Sequence, residues 1–413
     1  MSSFSFSLSA ATGESAAHHR HQASLERILD LSVVMLSAAE RADADATFNS
    51  LISHAEPLQG TSPYKKATLV RLTYEHARSK DTFLRQFFLF VDHNSHSDDD
   101  IQPVFEDGLA RFQGFVSQGF VSQTSAPSLK REAEGVIDSF AEYLFQNFFL
   151  PMKTAGAKTA QPSAASLSAP ALENVVGTPA RLSTLRWDCL IRDHNRCVVT
   201  RTFNIDEAIT RERRDPKNYK DDDGKLLASD LQPFSDLEVA HIIPHSIMSA
   251  KTVDGQLQLS GSKKMALSVL DMFDPGIVHL IKGPNIDHPS NAISLRSDAH
   301  TRFGLFQISF EALSEEQHTY RIHGRGAVTS RVFNLPMTRT LLLSPNRTIN
   351  PPSVKLFALH RAIAIILELS AAGEYIDRII HHMEETWVRS DGTVELGRIV
   401  ALKLDGWLDG VAA

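Results

Sequence analysis

Hydrophobic residues in the first third of the chain recur with the spacing of amphipathic α-helices. Three stripes carry this pattern: Leu25, Ile28 and Leu29; residues 83–91; and Phe140, Leu144 and Phe148. Residues three and four positions apart share one face of a helix, so the Phe-rich stripes predict the core of a helical bundle. We therefore expect a helical domain over residues 23–152. Residues 1–22 are rich in Ser, Ala and His and are expected to be disordered, because they offer little apolar surface to bury.

The pattern changes twice after this domain. Residues 153–180 are rich in Ala, Ser, Thr and Pro without periodicity, a composition typical of a linker. Short β-prone runs follow, and they predict strands at 196–201, 237–243 and 291–295, a helix at 297–303, and a hairpin made by 305–311 and 318–323. Helical periodicity is present at 260–273 and returns at 351–387, where Pro351 and Pro352 open the segment.

The composition is typical of a soluble globular protein with two or three domains. Of the 413 residues, 42% are apolar and 22% are charged. No apolar run reaches the roughly 18–20 residues of a bilayer span, and the first residues lack the pattern of a secretory signal, so we expect no membrane partner. The two cysteines, Cys189 and Cys197, exclude a disulfide framework and favour a reducing, intracellular compartment such as cytoplasm or nucleus.

The charge is negative overall but unevenly distributed. A formal net charge of −7 argues against non-specific coating of nucleic acid, because such affinity comes from Lys and Arg that neutralise phosphates. Arg211, Arg213 and Arg214 nevertheless form one cluster, and Arg321 and Arg325 begin a segment, 321–350, that has no Asp or Glu. We expect these five arginines to contact phosphate groups, although ordinary solvated charge would give the same pattern.

Three polar residues in the β-prone part carry candidate chemistry. His241 stands at the end of one predicted strand, Asn291 at the start of another, and His300 on the short helix that follows. Hydrolysis of a phosphodiester needs a base that activates water and a divalent cation that stabilises the developing charge. A strand-end histidine facing a helix histidine can supply both. An asparagine between them can hold the intervening loop through hydrogen bonds to the main chain.

The order of these segments resembles the HNH nuclease superfamily, and more closely the HNH-domain proteins of fungi. The resemblance covers about residues 180–400 and rests on four segments: RCVVTR (196–201), LEVAHIIP (237–244), IDHPSNAISLRSDAHTRFGLFQISFE (286–311) and PPSVKLFALHRAIAIILELSAAGEYID (351–377). It implies an α+β fold with a ββα-metal (HNH) core over residues 181–315. The helical N-terminal domain would precede this core, and a β-hairpin with a helical C-terminal layer would follow over residues 316–413.

The resemblance also implies roles for individual residues. His241 aligns with the general base, Asn291 with the middle asparagine of the catalytic motif, and His300 with the helix histidine that usually binds the metal. The residue before the general base is normally Asp, Glu or His and is a metal ligand, but Ala240 stands here. Glu238, two residues back on the same strand face, is the expected substitute. Alternatively, the metal keeps more water and fewer protein ligands, or the site is degenerate.

The implied function is metal-dependent endonucleolytic cleavage of nucleic acid, expected to be DNA, with one divalent ion such as Mg²⁺, Mn²⁺, Ni²⁺ or Zn²⁺. We expect the side chains of Glu238 or Ala240, His241, Asn291 and His300 to converge on one cleft, and two histidines on opposite faces would contradict the HNH assignment. Asp287 is interpreted as a turn or capping residue. One alternative is an HNH-derived binding or regulatory module that has lost turnover. Another is a nuclease joined to an N-terminal helical domain that binds a protein partner.

Overall fold

The computed structural model describes residues 35–60, 63–96, 102–116, 127–156, 179–230, 232–253, 256–313, 317–384 and 395–408. Two sequence-based predictions fall largely elsewhere. The expected disorder of residues 1–22, and the expected linker between residues 157 and 178, lie outside the described residues.

The described chain up to Gly156 is helical, as predicted. Its helices are α1 (Ala38–Ala55), α2 (Lys66–His76), α3 (Lys80–His93), α4 (Phe105–Val116), α5 (Pro127–Leu144) and α6 (Leu150–Gly156), with a π-helical turn at Phe145–Phe149. Phe140 of α5 packs edge to face against Phe87 of α3, with ring centroids 5.1 Å apart. Phe83 and Phe90 also contact Phe140. The Phe stripes are therefore core, as their periodicity indicates.

α6 joins these helices to the rest of the molecule. Lys153–Gly156, which the linker prediction included, are helical and buried, so the helix extends four residues into that segment. Lys153 Nζ donates a hydrogen bond to Gly373 O at 2.7 Å. A Cβ added to Gly156 would lie 2.4 Å from Gly304 O, so only glycine permits this close backbone approach. Buried apolar residues from both halves of the chain form one continuous cluster.

The second half of the described chain mixes helices and short strands. In chain order these are α7 (Pro179–Arg192), α8 (Ile205–Arg214), β1 (Leu237–His241), β2 (Lys251–Val253), β3 (Gln256–Gln258), α9 (Gly261–Phe273), β4 (Ala292–Arg296), α10 (Ser297–Gly304), β5 (Ile308–Ala312), β6 (Thr319–Gly324), α11 (Ala327–Val332), β7 (Met337–Thr340), α12 (Val354–Leu369), α13 (Ala372–Glu384) and α14 (Glu395–Leu404). Together with the N-terminal helices they make an α+β fold.

β1 and β4 form the centre of this half. They pair antiparallel, with Leu237 opposite Arg296 and His241 opposite Ala292. α10 follows β4 directly and packs on one face of the pair, while α7 packs on the other face. The strands predicted at 237–243 and 291–295, and the helix predicted at 297–303, are confirmed.

The strand predicted at 196–201 is wrong. Arg201 N donates to Cys197 O and Cys197 N to Thr202 O, both at 2.9 Å, so this segment turns back on itself. Arg201 has a φ of +64°, which lies in the left-handed region and ends the extended conformation. Val198 N still donates to Ser294 O at 2.9 Å, and the turn therefore lies along the edge of β4 away from β1.

The predicted hairpin is present as β5 and β6, and β7 adds a third strand that the sequence did not indicate. α12 begins at the cap Ser353, whose side chain accepts from Leu356 N. It packs on the hairpin through Phe357, which stacks on Phe310 with ring centroids 4.6 Å apart. The C-terminal layer is therefore helical, as expected.

Among the described residues, no single helix is long and apolar enough to cross a bilayer. One bent pair, α12 with Ala372–His381, passes the same test of length and composition, with an angle of 87° between the two helices.

Candidate active site

Asn291 ties the end of β1 to the start of β4. Its side chain is fully buried. Oδ1 accepts a hydrogen bond from Ile243 N at 2.9 Å, and Nδ2 donates to Ile243 O at 3.0 Å and to Ile286 O at 2.9 Å. An amide side chain suits this position because it offers an acceptor and two donors to the main chain at once. Asn291 therefore fixes the geometry of the residues next to His241.

His241, the last residue of β1, faces a buried carboxylate. Its Nε2 lies 3.1 Å from Asp287 Oδ1. Because a carboxylate can only accept, Nε2 donates this hydrogen bond, and in the neutral ring the lone pair is on Nδ1. Nδ1 is buried and has no hydrogen-bond partner among the described residues. The pair thus holds one ring nitrogen in the form that can accept a proton.

Two further side chains border this pair. Arg181 of α7 places its Nε 3.7 Å from Asp287 Oδ2 and donates to Pro284 O at 2.7 Å, so its positive charge compensates the buried carboxylate. The ring of His245 lies 5.5 Å from the ring of His241. Burial, and then the neighbouring His241, lower the pKa of His245 to about 4, so this second histidine is neutral at neutral pH.

Glu238 and His300 form a second pair, between β1 and α10. His300 Nδ1 lies 2.6 Å from Glu238 Oε2, and Ser297 Oγ donates to Glu238 Oε1 at 2.7 Å. The hydrogen bond with His300 is the main cause that lowers the pKa of Glu238, so the carboxylate is ionised at neutral pH. A carboxylate at Nδ1 leaves Nε2 of His300 as the nitrogen that can bind a metal, an arrangement common among metal-binding histidines.

The expected convergence of all four side chains on one cleft is not what the structure has. Successive strand residues point to opposite faces. Glu238 points towards α10, where it meets His300, whereas Val239 packs against α7. His241 shares the face of Val239, in agreement with its contact with Asp287. The two histidines therefore belong to separate pairs on opposite faces of β1.

Comparison with protein families identifies the domain that contains β1, β4 and α10. A family model described as HNH endonuclease matches residues 197–311, a span that contains both pairs and Asn291. Residues 197–311 form an HNH domain. Searches of the curated proteins and of the solved structures found no match. The family match does not extend to the helices on either side.

At its second pair the HNH domain offers one metal donor, Nε2 of His300, because Glu238 bonds Nδ1 on the other side of the ring and orients it. Ala240, at the position of the expected ligand, is buried and has no donor atom. Within the described parts of the chain, no three His, Cys, Asp or Glu side chains are arranged to hold a metal ion. This donor set does not fit a closed centre with three protein ligands. Any ion held there would keep several of its waters.

The five arginines expected to contact phosphates differ in their surroundings. Arg211 pairs with Glu207 at 2.8 Å and with Asp222 at 2.7 Å. Arg325 pairs with Glu368, and burial lowers its pKa to about 10. Carboxylate partners weaken the attraction of a guanidinium for phosphate. The expectation therefore stands best for the exposed members, which are Arg213, Arg214 and Arg321.

The sequence did not indicate Asp287 as a site residue. It was expected to shape a turn, but its side chain is fully buried against His241. A second buried group, Arg192, donates to Pro289 O at 2.7 Å and Ala292 O at 2.9 Å, on both sides of Asn291. Arg192 also pairs with the adjacent Asp193, but its bonds beside Asn291 are to main-chain carbonyls, which have no signature in a sequence. For Asp287 the available signal was its position in the segment IDHPSN, four residues before Asn291.

Proposed function

We propose that this protein is an HNH-type endonuclease that hydrolyses phosphodiester bonds in DNA with a divalent cation, and that His241 is its general base. The observation that carries the proposal is the His241–Asp287 pair inside a domain that matches the HNH endonuclease family. Asp287 holds the ring hydrogen on Nε2. Nδ1 is therefore the ring nitrogen that can take a proton from water.

In the proposed reaction, Nδ1 of His241 removes a proton from a water molecule. The oxygen of that water bonds to phosphorus, the bond from phosphorus to the leaving sugar oxygen breaks, and that oxygen takes up a proton from solvent. Asn291 holds the main chain beside His241 so that the base stays aimed. His300, oriented by Glu238, would hold the cation through Nε2, and the cation would supply positive charge for the phosphate and the leaving oxygen.

The placement of the two pairs constrains how DNA would lie. Glu238 and His241 are three residues apart, which corresponds to about 10 Å along a strand. Because the two pairs lie on opposite faces of β1, the proposal requires both to come within reach of one phosphate when DNA binds. Because His241 is only 6% exposed, the proposal requires the loop around it to open when DNA binds.

A second candidate is an HNH-derived module that binds nucleic acid without cleaving it. Two observations favour it: Ala240 stands at the ligand position, and the two histidine pairs lie on opposite faces of β1. Under this alternative, DNA binds whether or not a metal is present, and no substitution at His241 changes the outcome.

A plasmid-nicking assay with Mg²⁺, Mn²⁺, Ni²⁺ and Zn²⁺ separates the two candidates. The wild type should nick, His241→Asn should not, and His279→Ala should behave as the wild type because His279 is an exposed histidine of the same domain. Circular dichroism of each variant checks that it is folded. If the wild type binds DNA but nicks with none of the four metals, the binding module is the better account.

A further inference from the structure

Two arginines that lie outside the clusters considered above face each other beside β4. Arg201 donates through Nη2 to Thr340 O, and Arg339 donates through Nε to Val199 O at 3.1 Å. Thr340 is adjacent to Arg339 and Val199 lies two residues before Arg201, so the two side chains connect the turn to β7. Because the turn that carries Arg201 is bonded to Ser294 through Val198 N, the arginine pair lies on the edge of β4 away from β1.

This arginine pair has no carboxylate bonded to it, and Asp193, whose charge opposes the lowering of the Arg201 pKa by burial, already pairs with Arg192. Neither guanidinium makes an ion pair with a carboxylate in the part of the chain that the structure describes, and Arg201 Nη1 is buried with no hydrogen-bond partner there. The nearby Arg196, in contrast, pairs with Asp221 at 2.7 Å and Asp230 at 2.8 Å. Burial, and then the neighbouring Arg339, lower the pKa of Arg201. Two like charges in a poorly solvated place leave a site that favours an anion.

The backbone of Arg201 adds an independent indication. Its φ of +64° is uncommon for any residue other than glycine, asparagine or aspartate, and it is unfavourable for a long side chain. Strained backbone of this kind occurs preferentially at ligand-binding and catalytic positions, where surrounding structure enforces it. The turn here places the Arg201 side chain against β7, where it meets Arg339.

We propose that Arg201 and Arg339 together bind one phosphate group of the nucleic-acid backbone. Arg339 is half-buried, and its two terminal nitrogens make no hydrogen bond to any described residue, so they are placed to donate to a phosphate in the forked manner of guanidinium groups. Arg201 lies behind it and adds its charge. The inference rests on the proposed nucleic-acid substrate, and it places a backbone contact beside β4, apart from the His241 pair.

The test measures DNA binding by fluorescence anisotropy in EDTA, so that neither metal nor cleavage contributes. Arg339→Gln should weaken binding of a labelled duplex about tenfold near 0.1 M salt, and should reduce the slope of log K against log salt by about 1, as expected for one lost phosphate contact. Arg201→Gln should weaken binding in the same direction. The DNA affinity of the double variant should be at most about twofold lower than that of the single variant with the lower affinity. The two effects are not additive because both arginines act on one phosphate.

Arg131→Gln is the matched control, since it removes the same charge from an exposed position on α5 and should leave affinity unchanged. Thermal melts of every variant check the fold. The same melts in inorganic phosphate provide a second test. If phosphate stabilises the wild type but not Arg339→Gln, and all variants bind DNA equally, the arginine pair binds free phosphate and the inference is overturned. Equal DNA affinity of Arg339→Gln and wild type, or no DNA binding by the wild type, would also overturn it. If the wild type binds DNA as expected but does not nick it, the proposed catalysis is wrong and the inference about the arginine pair is unaffected.

Discussion

Replacing Asn291 by alanine should strongly destabilise the protein, because this side chain holds the segment between β1 and β4. The side chain is fully buried and makes three hydrogen bonds, two to Ile243 and one to Ile286. Alanine removes the partner of one buried N–H and two buried carbonyls. A buried polar group without a partner costs about 1–3 kcal/mol, and water entering the vacated space recovers part of that cost. We therefore expect a loss of about 3–5 kcal/mol in the free energy of unfolding.

Asn291→Asp sharpens the argument because it keeps the size of the side chain. Its carboxylate can still accept from Ile243 N, but it cannot donate to Ile243 O and Ile286 O, which it would repel. Asparagine is thus required for its donors as well as its acceptor. This variant should be destabilised by at least about 3 kcal/mol.

Urea denaturation followed by circular dichroism measures these differences. Asn285→Ala is the control, because Asn285 is exposed and makes a single bond of 3.4 Å to His279 O. It should change the free energy of unfolding by less than about 0.5 kcal/mol. A loss below about 1 kcal/mol for Asn291→Ala, or wild-type stability of Asn291→Asp, would refute the view that this amide holds the loop.

Three further predictions concern histidines. His241→Ala should lower the nicking rate roughly 10²–10⁴-fold, the usual contribution of a positioned base, with little change in metal affinity by calorimetry. His300→Ala should weaken Mn²⁺ binding in the same calorimetric experiment, and excess metal should partly restore nicking; unchanged Mn²⁺ affinity would remove His300 from the metal site. Burial lowers the pKa of His360 from its ordinary 6.5 to about 3. Below pH 6.5 the unfolded chain binds a proton that the folded chain does not, so stability should fall by up to about 1.4 kcal/mol per pH unit down to about pH 3, and His360→Phe should make the measured profile shallower.

Much of the HNH domain follows from its sequence because its elements are local. Strand β1 alternates between two packed faces and ends at a histidine, and β4 runs directly into α10 without a loop. Short-range periodicity is sufficient for such elements. Asn291 could also be anticipated, because a buried amide between two strand ends has few roles other than bonding the main chain.

What escaped prediction depends on contacts between distant parts of the chain. Residues 196–201 read as a strand, yet the left-handed conformation of Arg201 closes a turn whose partners are β4 and β7. Asp287 reads as a turn residue until His241, 46 positions earlier, is placed beside it. The placement of the two histidine pairs on opposite faces of β1 was also missed because it depends on contacts between distant parts of the chain. The sequence indicates that Glu238 and Ala240 share a face, but not that α7 supplies the other face with Arg181.

The position of Ala240 bears on the choice between a relocated and a lost metal site. Ala240 is 1% exposed, pairs with Ile293 across the strands, and belongs to the apolar core. A carboxylate there would be buried and would need a cation beside it to offset its desolvation. Glu238, on the same strand face, keeps 31% of its side chain exposed and still reaches His300 at 2.6 Å. In the metal site we propose, this carboxylate orients His300 and lies closer to solvent than a carboxylate at position 240 would, so that metal affinity depends on Glu238 as well as His300.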